Sequence, residues 1–321
     1  MKGLQAHWER GLIWSIIAAA ILYAGAVWWS GTDEFFALLK RLPGWLIPAC
    51  LGVVFAGYLF RFFRWHWYLL YMGHPVPLIS SFRIYFASLA LSASPGRAGE
   101  SIKSLLLKRR HGTPYSHTIA GWLCERFTDL LAVLLLISMG AFSGIQGKWA
   151  VVTVAIIQLG IILLMRHPEW LKRSMLAPVR KWPRVNHMIS SLESLIDRTS
   201  MLLSSGILVG SVFLAIISWV LEGVALYWLF QYLGVDSITL LQAIMILAAA
   251  DLIGAISFMP GGIGGAEVTL ISLSILYGAG QTEAVAATFL IRFITLWFGV
   301  GLGIMSMLWE QSVQKAEETV I

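Results

Sequence analysis

The chain has 321 residues, 58% of them hydrophobic and only 12% charged, with 15 tryptophans and a mean hydropathy of +0.77. A soluble domain carries roughly 45–50% apolar and 25% charged residues, so this composition excludes one and describes a chain dissolved in lipid. The net charge of +6 does not point to nucleic acid, because the basic residues flank apolar segments and form no polar domain of their own; they read as topology signals with some attraction for anionic headgroups.

Gly11 to Trp29 is free of charge over 19 residues, enough at ~1.5 Å per residue to cover most of a hydrocarbon core of ~30 Å. Lys2 and Arg10 before it and Ala24-Gly25-Ala26 near its end also fit a cleavable leader. The length of the run and its Trp28-Trp29 end, which suits an aromatic belt, favour a retained span. Trp45 to Leu70 is the next span, and after it the hydrophobic segment Phe82 to Arg110 fits no unbroken helix. His117 to Phe142 and Trp149 to Met165 are spans, then a basic stretch over 166–200, a span at Met201 to Phe230, a second interrupted segment at Ile238 to Tyr277, and a last span at Glu283 to Trp309. Cys50 and Cys124 fall inside apolar spans, which favours small buried side chains over a disulfide framework.

The stretch 166–200 contains Arg166, Lys172, Arg173, Arg180, Lys181, Arg184 and Arg198, whereas the connection from Gly144 to Lys148 has one lysine and that from Gln231 to Ser237 has none. The basic stretch, with Trp170 and Trp182 suited to an interface, is therefore expected in the cytoplasm. Counting outward puts both termini and Lys103, Lys108, Arg109 and Arg110 on the same side, with Lys40 and Arg41 as the exceptions.

Each interrupted segment carries Pro-Gly, further glycine and a glutamate: Pro95, Gly96, Gly99 and Glu100 in the first, Pro260, Gly261, Gly262, Gly264, Gly265 and Glu267 in the second. Proline removes a donor and restricts the residue before it, and glycine loosens the backbone, so these residues are hinges between half-helices. Glu100 precedes Arg126 by 26 residues and Glu267 precedes Arg292 by 25. The expected fold is thus an all-α polytopic membrane protein, one integral membrane domain over 1–321. It has about six full transmembrane helices plus two broken re-entrant hairpins, in inverted-topology repeats at about 45–142 and 201–309 joined by the cytoplasmic connector 166–200. Paired interruptions of this kind point to a transport site near the bilayer midplane, since irregular backbone survives at that depth only inside protein or beside a wet cavity.

Charges within spans cost ~2.5–3.5 kcal/mol each on insertion scales and need partners or a function. Arg97, Glu100, Arg126, Glu267 and Arg292 are the candidate substrate-binding residues, with Arg126 expected opposite Glu100 and Arg292 opposite Glu267. Glu125, Asp129, Glu222 and Asp251 are candidates for lining the cavity or carrying protons. For any one pair, structural pinning is the commoner role. Arg97 differs because it sits beside the N-terminus of a half-helix, where free amides and a guanidinium together suit a phosphate. Arg61 and Arg64, interleaved with Phe62, Phe63, Trp65 and Trp67, are expected to snorkel to an interface, and His66, His74, His111 and His117 show no metal-ligand spacing. No metal and no cofactor are expected.

The strings PGRAGE at Pro95 to Glu100, ERFTDLL at Glu125 to Leu131 and PGGIGGAE at Pro260 to Glu267, followed by the arginine-bearing last span, resemble the flippase-like lysylphosphatidylglycerol synthase transmembrane region family. The resemblance runs from about Gly11 to Trp309. It implies a plasma-membrane protein, the inner membrane in bacteria, that moves a lipid between leaflets. Relatives that continue into a soluble synthase attach an amino acid to phosphatidylglycerol; here the chain stops at Ile321, so a stand-alone member is expected, with its lipid-modifying enzyme encoded separately.

A lipid flippase or transporter is the leading expectation, taking a phosphate-headed or glycosylated, including polyprenyl-linked, lipid, with membrane lipids as partners and no enzyme activity. The alternatives are an integral-membrane transferase using a lipid-linked sugar, for which Asp33-Glu34 is the sole outer acidic pair, and a non-transporting partner of a membrane synthase. No GxxxxGK[ST] phosphate loop occurs, so an ion gradient or the lipid's own gradient would drive movement.

Overall fold

A computed structural model describes residues 20–94, 98–141, 148–165, 167–176 and 186–320, and every regular element among them is helical. The chain packs as two compact units. The described residues of Met1–Leu59, Phe86–Glu100 and Ile217–Ile321 form the first, and those of Phe60–Tyr85 and Ser101–Ile216 the second.

The first unit begins with α1 (Ala20–Ser30), which turns at Gly31, φ 95°, into α2 (Thr32–Arg41). Asp33 and Glu34 in the first turn of α2 and Lys40 and Arg41 in the last oppose its dipole. Phe35 is the residue that α2 buries. To this unit also belong the early part of α3 (Leu46–Tyr71), the end of α4 (Leu78–Leu89) and the later part of α10 (Ser205–Tyr232). It is completed by α11 (Leu240–Ile256), α12 (Gly265–Leu276), α13 (Gln281–Arg292) and, after a π turn at Phe293–Trp297, α14 (Phe298–Val320). Thr239 and Gln242 cap α11 reciprocally: the Gln242 amide donates to the Thr239 hydroxyl (3.4 Å) and the Thr239 amide to the Gln242 carboxamide oxygen (2.8 Å). The start of α13 is tied to the α1–α2 corner, with the Thr282 hydroxyl donating to the Ser30 carbonyl (2.7 Å) and the Gln281 side-chain Nε2 to that of Trp29 (2.9 Å). Helices here approach closely at small residues, as lipid-embedded packing requires: a Cβ on Gly223 would lie 2.4 Å from Ile244, and one on Gly303 2.0 Å from the Ala90 nitrogen.

The second unit contains the rest of α3, most of α4, and α5 (Ile102–His111), α6 (Tyr115–Ala141), α7 (Lys148–Met165), α8 (Pro168–Leu176), α9 (Asn186–Leu202) and the start of α10. Helix α6 is its axis, packed on α5, α7 and α9. Gly121 of α6 gives room for the Trp65 ring, which would lie 3.0 Å from a Cβ. Lys172 ties α8 to α9 by reaching Asp197 (2.5 Å) as well as Glu169 (2.9 Å). Its hydrogen bonds to Asp197 and then Glu169 raise its pKa. Cys50 and Cys124 are free and buried, as read from their apolar surroundings.

Among the described residues, three helical stretches are long and apolar enough to cross a membrane: Leu46–Tyr71, Gly206–Tyr232 and the continuous Gln281–Val313. Shorter apolar helices accompany them at Ala20–Ser30, Leu78–Leu89, Ala155–Leu164, Leu240–Ile256 and Gly265–Leu276. Both segments expected to be interrupted are so: α4 ends at Leu89 and helix resumes as a 3₁₀ turn at Ala98–Ser101 leading into α5, and α11 ends at Ile256 with α12 starting at Gly265.

Candidate functional site

In the first unit the break between α11 and α12 is built from glycines at positive φ: Gly261 at 64°, Gly262 at 69° and Gly264 at 92°. An L side chain is strained in that region, which explains their clustering. The break is held from both sides. Glu267, in the first turn of α12, accepts the Gly264 amide (2.6 Å) at one carboxylate oxygen and Arg292 Nε (2.7 Å) at the other. Arg292 Nη2 donates onward to the Gly261 carbonyl (2.5 Å), and Nη1 faces Asp251 of α11 at 3.9 Å. The expected Arg292–Glu267 pair is therefore present, both side chains 3% exposed, and one guanidinium serves two carboxylates and the turn itself. The Tyr23 hydroxyl of α1 adds a hydrogen bond to Glu267 (3.2 Å). Immediately after Arg292 the helix widens into the π turn, and the Tyr58 hydroxyl donates to the Thr295 carbonyl within it. Such turns gather at functional positions.

At the other break, Pro95, Gly96 and Arg97 lie outside the described residues. Ser94 accepts the Gly99 amide at its hydroxyl (2.7 Å), and a Cβ on Gly99 would come within 2.6 Å of Leu91 Cβ and 2.8 Å of its carbonyl oxygen, so only glycine fits. Glu100 is 5% exposed and Glu222, on α10, 3%.

In the second unit the ion pairs centre on α6. Asp129 meets Arg64 of α3 at 2.7 Å and Arg126, one turn back on its own helix, at 3.3 Å. Arg64 also donates to the Thr128 hydroxyl (3.1 Å). Glu125, four residues before Asp129, pairs with Lys103 of α5, whose ammonium also lies 4.0 Å from the Trp65 ring centre and 5.1 Å from that of Tyr85, a cation–π cage inside apolar surroundings.

Two expectations are corrected here. Arg64 is wholly buried and Arg61 is 7% exposed, so neither snorkels; burying a guanidinium needs a carboxylate, and Asp129 supplies one to Arg64. Lys103 is not a surface topology signal but a 1% exposed partner of Glu125. A signal for the arginines lay in their spacing: Arg61 and Arg64 are three apart and Glu125 and Asp129 four apart, so each pair shares a helix face.

At the end of this unit, Arg198 Nε donates to His117 Nε2 (3.0 Å), and the other His117 ring nitrogen meets His74. Burial and then the Arg198 charge hold the His74 pKa below its usual value. Among the described residues no group of three or more His, Cys, Asp and Glu is placed to hold a metal ion.

Residues 15–303 match the family described as the lysylphosphatidylglycerol synthase TM region. A UPF0104 membrane protein of Methanothermobacter thermautotrophicus is 26% identical over 313 aligned positions, which take in 88% of this chain and 89% of that protein. The UPF0104 membrane protein PH1989 of Pyrococcus horikoshii is 24% identical over 327 positions, with 90% and 94% covered. The match over residues 15–303, together with the apolar helices, shows that the chain belongs to the lysylphosphatidylglycerol synthase transmembrane region family and is a multi-pass membrane protein.

Proposed function

We propose that the protein is a lipid flippase or transporter, not an enzyme, moving a phosphate-headed or glycosylated lipid, including a polyprenyl-linked one, between leaflets. On this reading it sits in the plasma membrane, the inner membrane in bacteria, with both termini in the cytoplasm. It has about six full spans, and α4–α5 and α11–α12 are re-entrant hairpins of inverted repeats. The headgroup travels through polar ground made by the breaks while the chains stay in lipid, and Arg97, Glu100, Arg126, Glu267 and Arg292 contact it. The observation that carries the proposal is Arg292, a buried charge bonded at once to Glu267 and to the Gly261 carbonyl of a helix break. Irregular backbone inside an apolar helix set, held by an ion pair, is the arrangement that substrate paths in transporters use.

Leaflet exchange of tagged lipids in proteoliposomes tests this. Wild type should exchange at least one class among phospholipids, polyprenyl phosphates and their sugar conjugates, and folded Arg97→Ala and Glu267→Gln variants should lose at least about tenfold in rate, the scale of one charged hydrogen bond. No exchange in any class would overturn it in favour of a transferase or a regulatory partner.

A further inference from the structure

In the second unit two imidazoles stand in a row with a guanidinium. Arg198, in the last turns of α9, donates its Nε hydrogen to Nε2 of His117 at the start of α6 (3.0 Å), and His117 Nδ1 meets Nε2 of His74, in the turn between α3 and α4. An arginine has donors and no acceptor and keeps its proton, so this first bond fixes the others. His117 needs a lone pair on Nε2 and so holds its hydrogen on Nδ1. That hydrogen points at His74 Nε2, which is then a lone pair as well, and the His74 hydrogen sits on Nδ1. The tautomers thus follow from their partners. The row runs in one sense, from Arg198 through His117 to His74, and it is complete only while both rings are neutral.

One proton breaks it. Taken up at His74 Nε2, it opposes the His117 Nδ1 hydrogen; if His117 moves that hydrogen to Nε2, it opposes Arg198 instead. Either way two donors stand face to face, and a second positive charge enters the row. The packed elements reinforce that charge more than they offset it. The last turn of α5 is basic from Lys108 to His111, and His111 is turned to the Ser80 hydroxyl of α4 (2.7 Å). On α3, His66 meets the Ser81 hydroxyl (3.1 Å), and α7 is uncharged from Trp149 to Met165. Of the carboxylates on α9, Asp197 is held by Lys172 of α8 (2.5 Å), and Glu193 stands about 140° round the helix from Arg198. His74 is half-buried and within reach of solvent, whereas His117 is 9% exposed, so His74 is the point of entry. Burial, and then the Arg198 charge, hold the His74 pKa down, which keeps the row whole at neutral pH.

The row holds α9 in place. Farther back on the same two helices the Ser194 hydroxyl donates to that of Ser116 (3.1 Å), a neutral bond. After Arg198 the chain passes through Leu203 and Ser204 directly into α10. We propose that His74 and His117 form one proton-binding site, and that a proton taken up at His74 releases the end of α9 from α6. The inference is independent of transport: it concerns the attachment of one helix, whether or not lipid is moved.

Hydrogen–deuterium exchange of the full chain in nanodiscs tests it, at about pH 7.5 and about pH 5.5, on either side of the usual histidine value. Rates are corrected for the intrinsic effect of pH on amide exchange. Peptides from α9 should exchange about tenfold faster at the lower pH, the weight of one hydrogen bond to a charged group, while peptides from α3 and α10 keep their protection. His74→Gln offers His117 Nδ1 a carboxamide oxygen that takes up no proton, so α9 should stay protected at both pH values. Arg198→Leu keeps bulk but donates nothing, so α9 should exchange at both pH values as wild type does at the lower. Unchanged α9 exchange in wild type would overturn the proposal, as would an acid response that survives in His74→Gln. Equal acceleration in α3, α9 and α10 would overturn it too, because it would mean general loosening. If Arg198→Leu does not fold, wild type and His74→Gln still decide.

Discussion

Two hubs of opposite sign organise the buried charge of the two units. In the first, Arg292 is a cation serving Glu267, Asp251 and the Gly261 carbonyl. In the second, Asp129 is an anion serving Arg64 and Arg126. The difference lies in what each hub holds. Arg292 reaches from one helix into a stretch with no helix, so its bonds substitute for a missing ladder. Asp129 joins regular helices whose ladders are complete, so its bonds fix only side chains. Equal counts of buried ion pairs therefore do not mean equal structural consequence: the first hub shapes backbone, and the second shapes charge.

The largest effect expected from that contrast is at Arg292. Arg292→Ala strands Glu267 and loosens the break, and breaking one partner of a buried pair costs ~3–5 kcal/mol. Thermal denaturation in detergent should show a large drop, and Glu267→Gln, which keeps shape and one acceptor, a smaller one. If Arg292→Ala melts like wild type, the hub does not hold the break.

Next is Asp129→Asn, which removes charge from a site where Arg64 keeps its Thr128 bond. A loss of ~1.5–3 kcal/mol is expected, the range for hydrogen bonds to charged groups. A loss larger than that at Arg292 would invert the comparison.

Gly261→Ala should cost ~1–2 kcal/mol, for a Cβ at positive φ that also comes 3.1 Å from Leu296 Cδ2. Gly99→Ala, where the obstruction includes the Leu91 backbone carbonyl at 2.8 Å, should cost at least as much. Refolding yield and melting temperature check both.

The smallest effect concerns pH. The folded-state pKa of His74 lies below its value in the unfolded chain, so the unfolded state takes up the proton first. Its contribution is complete above the unfolded value of about 6.5 and fades as pH falls below it. Protonation also adds charge beside His117 and Arg198. The melting temperature of wild type should fall slightly between about pH 7 and pH 5, and His74→Gln should flatten that slope.

Much of the first hub was legible before any coordinates. Pro260 to Gly265 reads as a break, and Glu267 and Arg292 as a pair, because a charge in an apolar run demands a partner and the two runs contain few. The second hub was not. Arg64 and Lys103 stand among aromatic and basic neighbours, where an interface explains them equally well, and only depth distinguishes a snorkelling arginine from a buried one. The π turn was illegible for another reason: Phe293-Ile294-Thr295-Leu296-Trp297 has the composition of any apolar helix, and its widening follows from packing around it.

That turn sets the phase of the rod Gln281–Val313. A π turn holds one residue more than an α turn of the same height, so everything after it is rotated by about 100° relative to an unbroken helix. Upstream, Arg292 faces Glu267; downstream, Gly299 lies against the Tyr58 hydroxyl and Gly303 against Ala90. The extra residue works as a gear tooth between those two registers. Straightening the turn into α-helix with all its residues kept would leave the helix intact by every measure of helicity, yet swing Gly303 away from Ala90 and drive a larger side chain into a gap that admits only a hydrogen atom, whereas deleting one residue of the turn would close it and keep Gly303 in register.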